Sequence, residues 1–114
     1  MDQLRDVGGV SISHGAAPHW TFFTNHFLVL ASVADKPDLR VRDIATAVGI
    51  TERATQAILS DLAHEGYLER IRIGRRNRYK VRLGAGLRHP IAQATTVGEV
   101  LDIVLSNGRR ATAG

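Results

Sequence analysis

No cysteine occurs among the 114 residues, which excludes a disulfide framework, a thiol nucleophile and a cysteine-ligated zinc site. The absence suits a reducing compartment. Long apolar runs are missing as well: no stretch approaches the ~20 residues that a membrane-spanning helix needs. The opening MDQLRDVGGVSIS lacks the basic-then-apolar pattern of a signal peptide, so the expected location is the cytoplasm. No internal repeat is visible. No glycine-rich phosphate loop precedes a helix, and Gly8-Gly9 is too slight to count as one. The length fits one domain with one core, and a hydrophobic share of 44% is ordinary for a globular chain.

Catalytic and metal-binding arrangements are also wanting. Ser11, Ser13 and Ser32 lack a nucleophile-elbow context. Asp35 and Asp38 flank Pro37 and read as turn residues. Of five histidines, His14, His19 and His26 are spaced by five and seven, while His64 and His89 stand alone. None forms the short ligand pair of a structural zinc site. The expectation is a protein that is not an enzyme, with no cofactor and no metal.

What the chain does have is positive charge in one place. Residues 67–82 hold Arg70, Arg72, Arg75, Arg76, Arg78, Lys80 and Arg82 against Glu69 alone, a local charge of +6. The whole chain carries only +4, so the remainder is −2. A near-neutral body with one concentrated basic feature suits a polyanion.

The hydrophobic pattern orders the chain into elements. Residues 1–18 have little periodicity and read as a flexible arm, though Val10 and Ile12 alternating with Ser11 and Ser13 allow a short strand. From Trp20 to Ala34 the sequence turns apolar, and Phe23, Phe27, Leu30, Ala31 and Ala34 form a helical stripe capped by Thr21 or Thr24. Further apolar faces on this helix imply burial in the domain or in a subunit interface. Pro37 stops it, and Leu39-Arg40-Val41 reads as a short strand. Residues 42–48 form a brief helix ended by Gly49. A second helix follows from Thr51, its N-cap, with Thr55, Ile58, Leu59 and Leu62 inward and Gly66 at its end.

The period then changes to two. Ile71 and Ile73 alternate with Arg70 and Arg72, and Tyr79, Val81 and Leu83 with Arg78, Lys80 and Arg82. Two strands, each with an apolar and a basic side, enclose Gly74-Arg75-Arg76-Asn77 as a hairpin loop. Gly84, Gly86 and Pro90 break the pattern. A last helix begins near Thr96, where Thr96 and Glu99 have capping-box spacing. Its stripe is Val97, Val100, Leu101, Val104 and Leu105. Asn107-Gly108 should stop it, with residues 108–114 as a disordered tail.

The two middle helices form a helix-turn-helix pattern: Ala45 is small where they cross, Gly49 permits the tight turn, and Ile44, Val48, Ile50 and Ile58 face inward. Thr55, at a position that favours an apolar residue, needs a hydroxyl partner. At about 100° per residue, Arg53, Gln56, Ala57 and Ser60 occupy the opposite face, which would enter the major groove of DNA. Arg53 suits guanine or phosphate, Gln56 suits adenine, and Thr51 with the free N–H groups of the helix start suits phosphate. The hairpin tip, Arg75 and Arg76, would reach the minor groove or its flanking phosphates. Arg70, Arg72, Arg78, Lys80 and Arg82 would mostly bind backbone. Arg42 and Asn77 complete the expected DNA-binding set.

The stretch PDLRVRDIATAVGITERATQAILSDLAHEGYLERIRIGRRNRYKV, residues 37–81, resembles winged-helix transcriptional regulators of the broad MarR/ArsR type. Within that breadth, WTFFTNH at Trp20 to His26 and LRHPIAQATTVGEVL at Leu87 to Leu101 resemble a group of small prokaryotic regulators. The resemblance covers about residues 19–105 and implies a homodimeric winged-helix DNA binder that acts on transcription. Ala57 departs from the arginine often found in such recognition helices, and Thr55 from the usual apolar residue.

The expected fold is therefore mainly α with a small β-hairpin: a winged helix-turn-helix of three core helices plus a wing, with an additional C-terminal helix. Residues 19–107 form the domain, 51–65 the recognition helix and 67–83 the wing. Trp20, Phe23, Phe27, Val97, Val100, Leu101, Val104 and Leu105 are the expected dimer interface. Double-stranded DNA is the expected partner, and a small-molecule effector remains open. Two alternatives stand beside this reading: a winged-helix module docking on an acidic protein, and a non-specific architectural DNA binder.

Overall fold

The computed structural model describes residues 22–113. The 1–18 arm, the short strand at Val10 and Ile12, Thr21 and Trp20 lie outside them. Among the described residues the order is α1 (Asn25–Asp35), α2 (Val41–Val48), α3 (Glu52–His64), β1 (Leu68–Ile73), β2 (Arg76–Val81), a 3-10 turn (Pro90–Ala92) and α4 (Val97–Ala113). Four helices and one two-stranded antiparallel hairpin make a mixed α/β fold. None of these helices is long and apolar enough to cross a membrane.

Capping chemistry sets most boundaries. Thr24, not Thr21, starts α1: its hydroxyl accepts the Phe27 N–H at 3.1 Å, so Phe22 and Phe23 precede the helix. Thr51 does the same for α3 through the Ala54 N–H at 3.0 Å. Thr96 and Glu99 form the expected reciprocal box, with Thr96 N–H donating to Glu99 at 2.8 Å and Glu99 N–H donating to Thr96 at 3.2 Å. Gly49 closes α2 at φ 88°, a left-handed conformation that disfavours any side chain. After α3, the Tyr67 N–H reaches Leu62 and the Gly66 N–H reaches Ala63, the paired bonds of a Schellman ending.

Three local expectations are corrected. Leu39-Arg40-Val41 is not a strand. Val41 opens α2, and the Arg40 N–H is held by the Asp43 carboxylate at 3.4 Å, which stabilises the helix start. The hairpin loop has two residues, Gly74 and Arg75, rather than four, and Arg76 and Asn77 belong to β2. Gly74 has φ 60° at the first loop position, where a two-residue hairpin of the II′ kind needs a positive angle. Finally, α4 runs through Asn107-Gly108 to Ala113. One glycine costs a helix interior only about 1 kcal/mol, too little to end it without a competing turn.

The core lies where the helices meet the base of the hairpin. Val29, Leu30 and Val33 of α1, Ile44 of α2, Ile58, Leu59 and Leu62 of α3, Leu68, Tyr79, Val97 and Leu101 are all buried. Thr55 is the buried polar residue among them, and its hydroxyl donates to the Thr51 carbonyl at 2.9 Å, which removes the desolvation penalty. The segment after β2 runs antiparallel to the start of α4: Gly98 N–H donates to Leu83 at 2.8 Å and Val97 N–H to Ala85 at 2.8 Å. A Cβ on Gly98 would lie 2.9 Å from the Leu83 carbonyl oxygen, so only glycine permits this approach.

Candidate nucleic-acid interface

Burying Thr55, Ile58, Leu59 and Leu62 leaves Arg53, Gln56, Ala57 and Ser60 exposed together on the outer face of α3. Thr51 is exposed as well, with its hydroxyl engaged in capping. Arg42 is exposed on α2. Arg42 and Arg53 form no ion pair among the described residues. The face of α3 is nonetheless short of positive charge, because Glu52 and Asp61 both outflank Arg53 on the same helix. Asp61 is tied back to α1, its carboxylate 2.9 Å from His26 Nε2. Both groups are about half exposed or more, so the contact locates the helices more than it stabilises them.

The hairpin register rearranges the charge that alternation alone suggests. Leu68 faces Val81, Arg70 faces Tyr79, Ile71 faces Arg78 and Ile73 faces Arg76. Opposed residues share a face of an antiparallel pair. One face therefore holds Leu68, Arg70, Arg72, Asn77, Tyr79 and Val81, and the other Glu69, Ile71, Ile73, Arg76, Arg78 and Lys80. The apolar side of each strand sits beside the basic side of its neighbour. Leu68 and Tyr79 anchor the first face in the core, while Ile71 and Ile73 stay 39% and 51% exposed on the second.

The basic side chains differ in how free they are. Arg70 lies over the Tyr79 ring at 5.9 Å, a cation–π contact across the strands. Arg72 Nε donates to the Gly74 carbonyl at 3.1 Å, bracing the turn. Arg82 is 3.9 Å from Glu69. Arg76 is not at the tip: it donates 2.9 Å to the Asp38 carbonyl, and Arg78 Nε donates 2.9 Å to the Asp38 carboxylate. Asp38, read from sequence as a turn residue, is thus the point where the α1–α2 link grips the hairpin. Its proximity to β2 depends on tertiary packing, which no local pattern reports. Arg75 stands alone at the tip, and neither it nor Lys80 has an ion pair among the described residues.

A second anchor also escaped the sequence pattern. Arg88 donates to the Glu65 carbonyl, lies 3.4 Å from its carboxylate, and covers the Tyr67 ring at 5.6 Å. It ties the segment after the hairpin to the end of α3 and so fixes the angle between them.

The expected dimer residues divide. Val97 and Leu101 are buried in the protomer's own core, and burial here leaves little side chain for a partner. Phe23, Phe27, Val100, Val104 and Leu105 are half-buried. Phe27 and Val100 line an apolar groove of about 440 Å³ together with Phe23 and the 86% exposed Phe22. Phe23 and Phe27 stack with ring centroids 4.5 Å apart. Comparison of the sequence with protein-family models finds no match, and comparison with curated proteins finds none.

Proposed function

We propose that the chain is a winged-helix DNA-binding protein acting on transcription, with α3 as the recognition helix and the β1–β2 hairpin as the wing. The observation that carries this reading is the exposed polar face of α3, with Arg53, Gln56 and Ser60, followed directly by residues 67–82 with a charge of +6, whose hairpin tip residue Arg75 has no ion pair among the described residues. In this reading Gln56 and Arg53 meet base edges in the major groove, and Arg75 enters the adjacent minor groove or its phosphates. Arg42, Arg70, Arg72 and Lys80 supply backbone contacts. The protein acts as a homodimer through the surface of Phe23, Phe27, Val100, Val104 and Leu105, so that two α3 helices meet half-sites about 10 bp apart. In this reading it resembles regulators of the MarR/ArsR type.

Selection from random duplex DNA, followed by fluorescence anisotropy across a salt series, tests the proposal. A palindromic preference and an affinity that falls with salt are expected. Absence of duplex binding at low salt would overturn the reading.

A non-specific, architectural mode is the second reading, and the charge of α3 favours it. With Ala57 at the centre of its outer face and Glu52 and Asp61 beside Arg53, that helix offers phosphate little, leaving affinity to the hairpin. This mode predicts the same salt slope with almost no preference among sequences.

A further inference from the structure

The outer edge of β1 presents backbone groups suited to a further strand. The Arg82 N–H donates to the Tyr67 carbonyl at 2.9 Å, one pair before Leu68 faces Val81. Antiparallel partners exchange their bonds at every second pair. The bonded pairs are therefore Glu69 with Lys80, Ile71 with Arg78 and Ile73 with Arg76. The N–H and C=O groups of Arg70 and Arg72 point the other way, away from β2. No third strand meets them among the described residues, and residues 69–73 are all exposed.

The side chains decide what kind of strand fits. Arg70 and Arg72 stand on a hairpin face that carries no acidic residue. Glu69 lies on the opposite face, across from Lys80 and 3.9 Å from Arg82. Both arginines keep donors for a partner. Arg70, over the Tyr79 ring, makes no side-chain hydrogen bond among the described residues, and Arg72 uses only its Nε, on the Gly74 carbonyl. Opposed residues of paired strands share a face, so an added strand meets arginine, isoleucine and arginine at successive positions. A second copy of β1 would bring arginine to arginine. A strand that alternates acidic with apolar residues complements both faces.

We propose that the free edge of β1 takes up an extended acidic segment of a partner protein as an antiparallel third strand. Its carboxylates lie opposite Arg70 and Arg72, and an apolar residue lies opposite Ile71. Main-chain bonds supply the affinity and the alternation supplies the selectivity. The site goes beyond the DNA-binding reading and does not depend on it.

The test titrates a peptide of alternating valine and glutamate, acetyl-SVEVES-amide, into the full chain and follows the backbone amides by NMR. Saturable shifts and slowed hydrogen exchange are expected at Arg70 and Arg72. In antiparallel addition the glutamate N–H groups face β1 and the valine N–H groups face solvent. N-methylation of both glutamates is therefore expected to abolish binding, and N-methylation of both valines to leave affinity within about twofold. These changes leave the protein itself untouched. Arg70→Glu is expected to weaken binding by about tenfold with unchanged circular dichroism. The proposal is overturned by any of four results: no saturable shift at Arg70 and Arg72, a glutamate-methylated peptide that binds as well as the valine-methylated one, equal binding of a peptide with lysine for glutamate, or undiminished binding by Arg70→Glu. Protection of Arg70 and Arg72 that rises with protein concentration alone would also overturn it, by showing the edge to join two copies. Protection there by random-sequence duplex DNA and none by the peptide would overturn it in favour of nucleic acid. Anisotropy with duplex DNA on the same samples reports separately on the other reading.

Discussion

The carboxylate of Asp38 accepts a 2.9 Å charged hydrogen bond from Arg78 Nε, joining the α1–α2 link to the second strand of the hairpin. The Asp38 backbone carbonyl holds Arg76 in addition. Two arginines of the basic hairpin are thus committed within the molecule. Asp38→Ala removes a negative charge and frees Arg78. The pair is well exposed, so folding stability should fall by less than about 1 kcal/mol. Under the proposed function, affinity for duplex DNA should rise and the salt slope should steepen by up to about one unit. Thermal melts and anisotropy in a salt series measure both.

Arg75 and Arg76 should separate although they are neighbours. Arg75→Ala removes an unengaged cation at the tip and should weaken binding to all duplexes, flattening the salt slope by about one unit. Arg76→Ala should do less, because its guanidinium is already bound to Asp38. Gln56→Ala should instead change sequence preference. Equal weakening across all sequences would show that α3 does not lie in the groove as proposed.

Gly98 and Gly108 lie in the same helix, and their alanine variants should have opposite effects. Gly98→Ala drives a methyl against the Leu83 carbonyl and Cβ, at 2.9 and 3.0 Å, and should destabilise by about 1–3 kcal/mol. Gly108→Ala meets nothing within 4 Å and should stabilise by about 0.5–1 kcal/mol. Urea unfolding of the two variants supplies the comparison.

Thr55→Val should be tolerated within about 1 kcal/mol, because it removes both the hydroxyl and the need for its partner. Leu59→Ala, at a site with no exposure, should cost about 2–5 kcal/mol. Thermal denaturation distinguishes them, and a large loss in Thr55→Val would show that the bond to Thr51 anchors α3.

Much of this arrangement was legible from local chemistry. Thr24, Thr51 and the Thr96–Glu99 pair announce helix starts because each satisfies N–H groups within four residues, and Gly49 and Gly66 mark ends by the backbone angle they permit. The inward stripe of α3 follows from period alone. What escaped depends on distant partners. The hairpin's exact register moved by two residues on the second strand, because the loop closes on Gly74 and Arg75 alone, although either even-length loop sets the apolar side of one strand beside the basic side of the other. Asp38 looks like any turn residue until β2 is beside it. Val97 and Leu101 belong to a stripe that equally well suits a core or an interface, and only the packing of α4 on α1 decides. Asn107-Gly108 resembles a stop but brings no competing turn.

The crossed register has a consequence for solubility. A two-stranded ribbon with one wholly apolar face and an open edge is a template for stacking copies of itself. Here β1 pairs only with β2 among the described residues, so its other edge carries no strand. Interleaving arginine with isoleucine breaks any continuous apolar strip on either face, and copies aligned along β1 would set Arg70 and Arg72 against their own counterparts. The same placement that charges the hairpin thereby leaves neither of its faces wholly apolar.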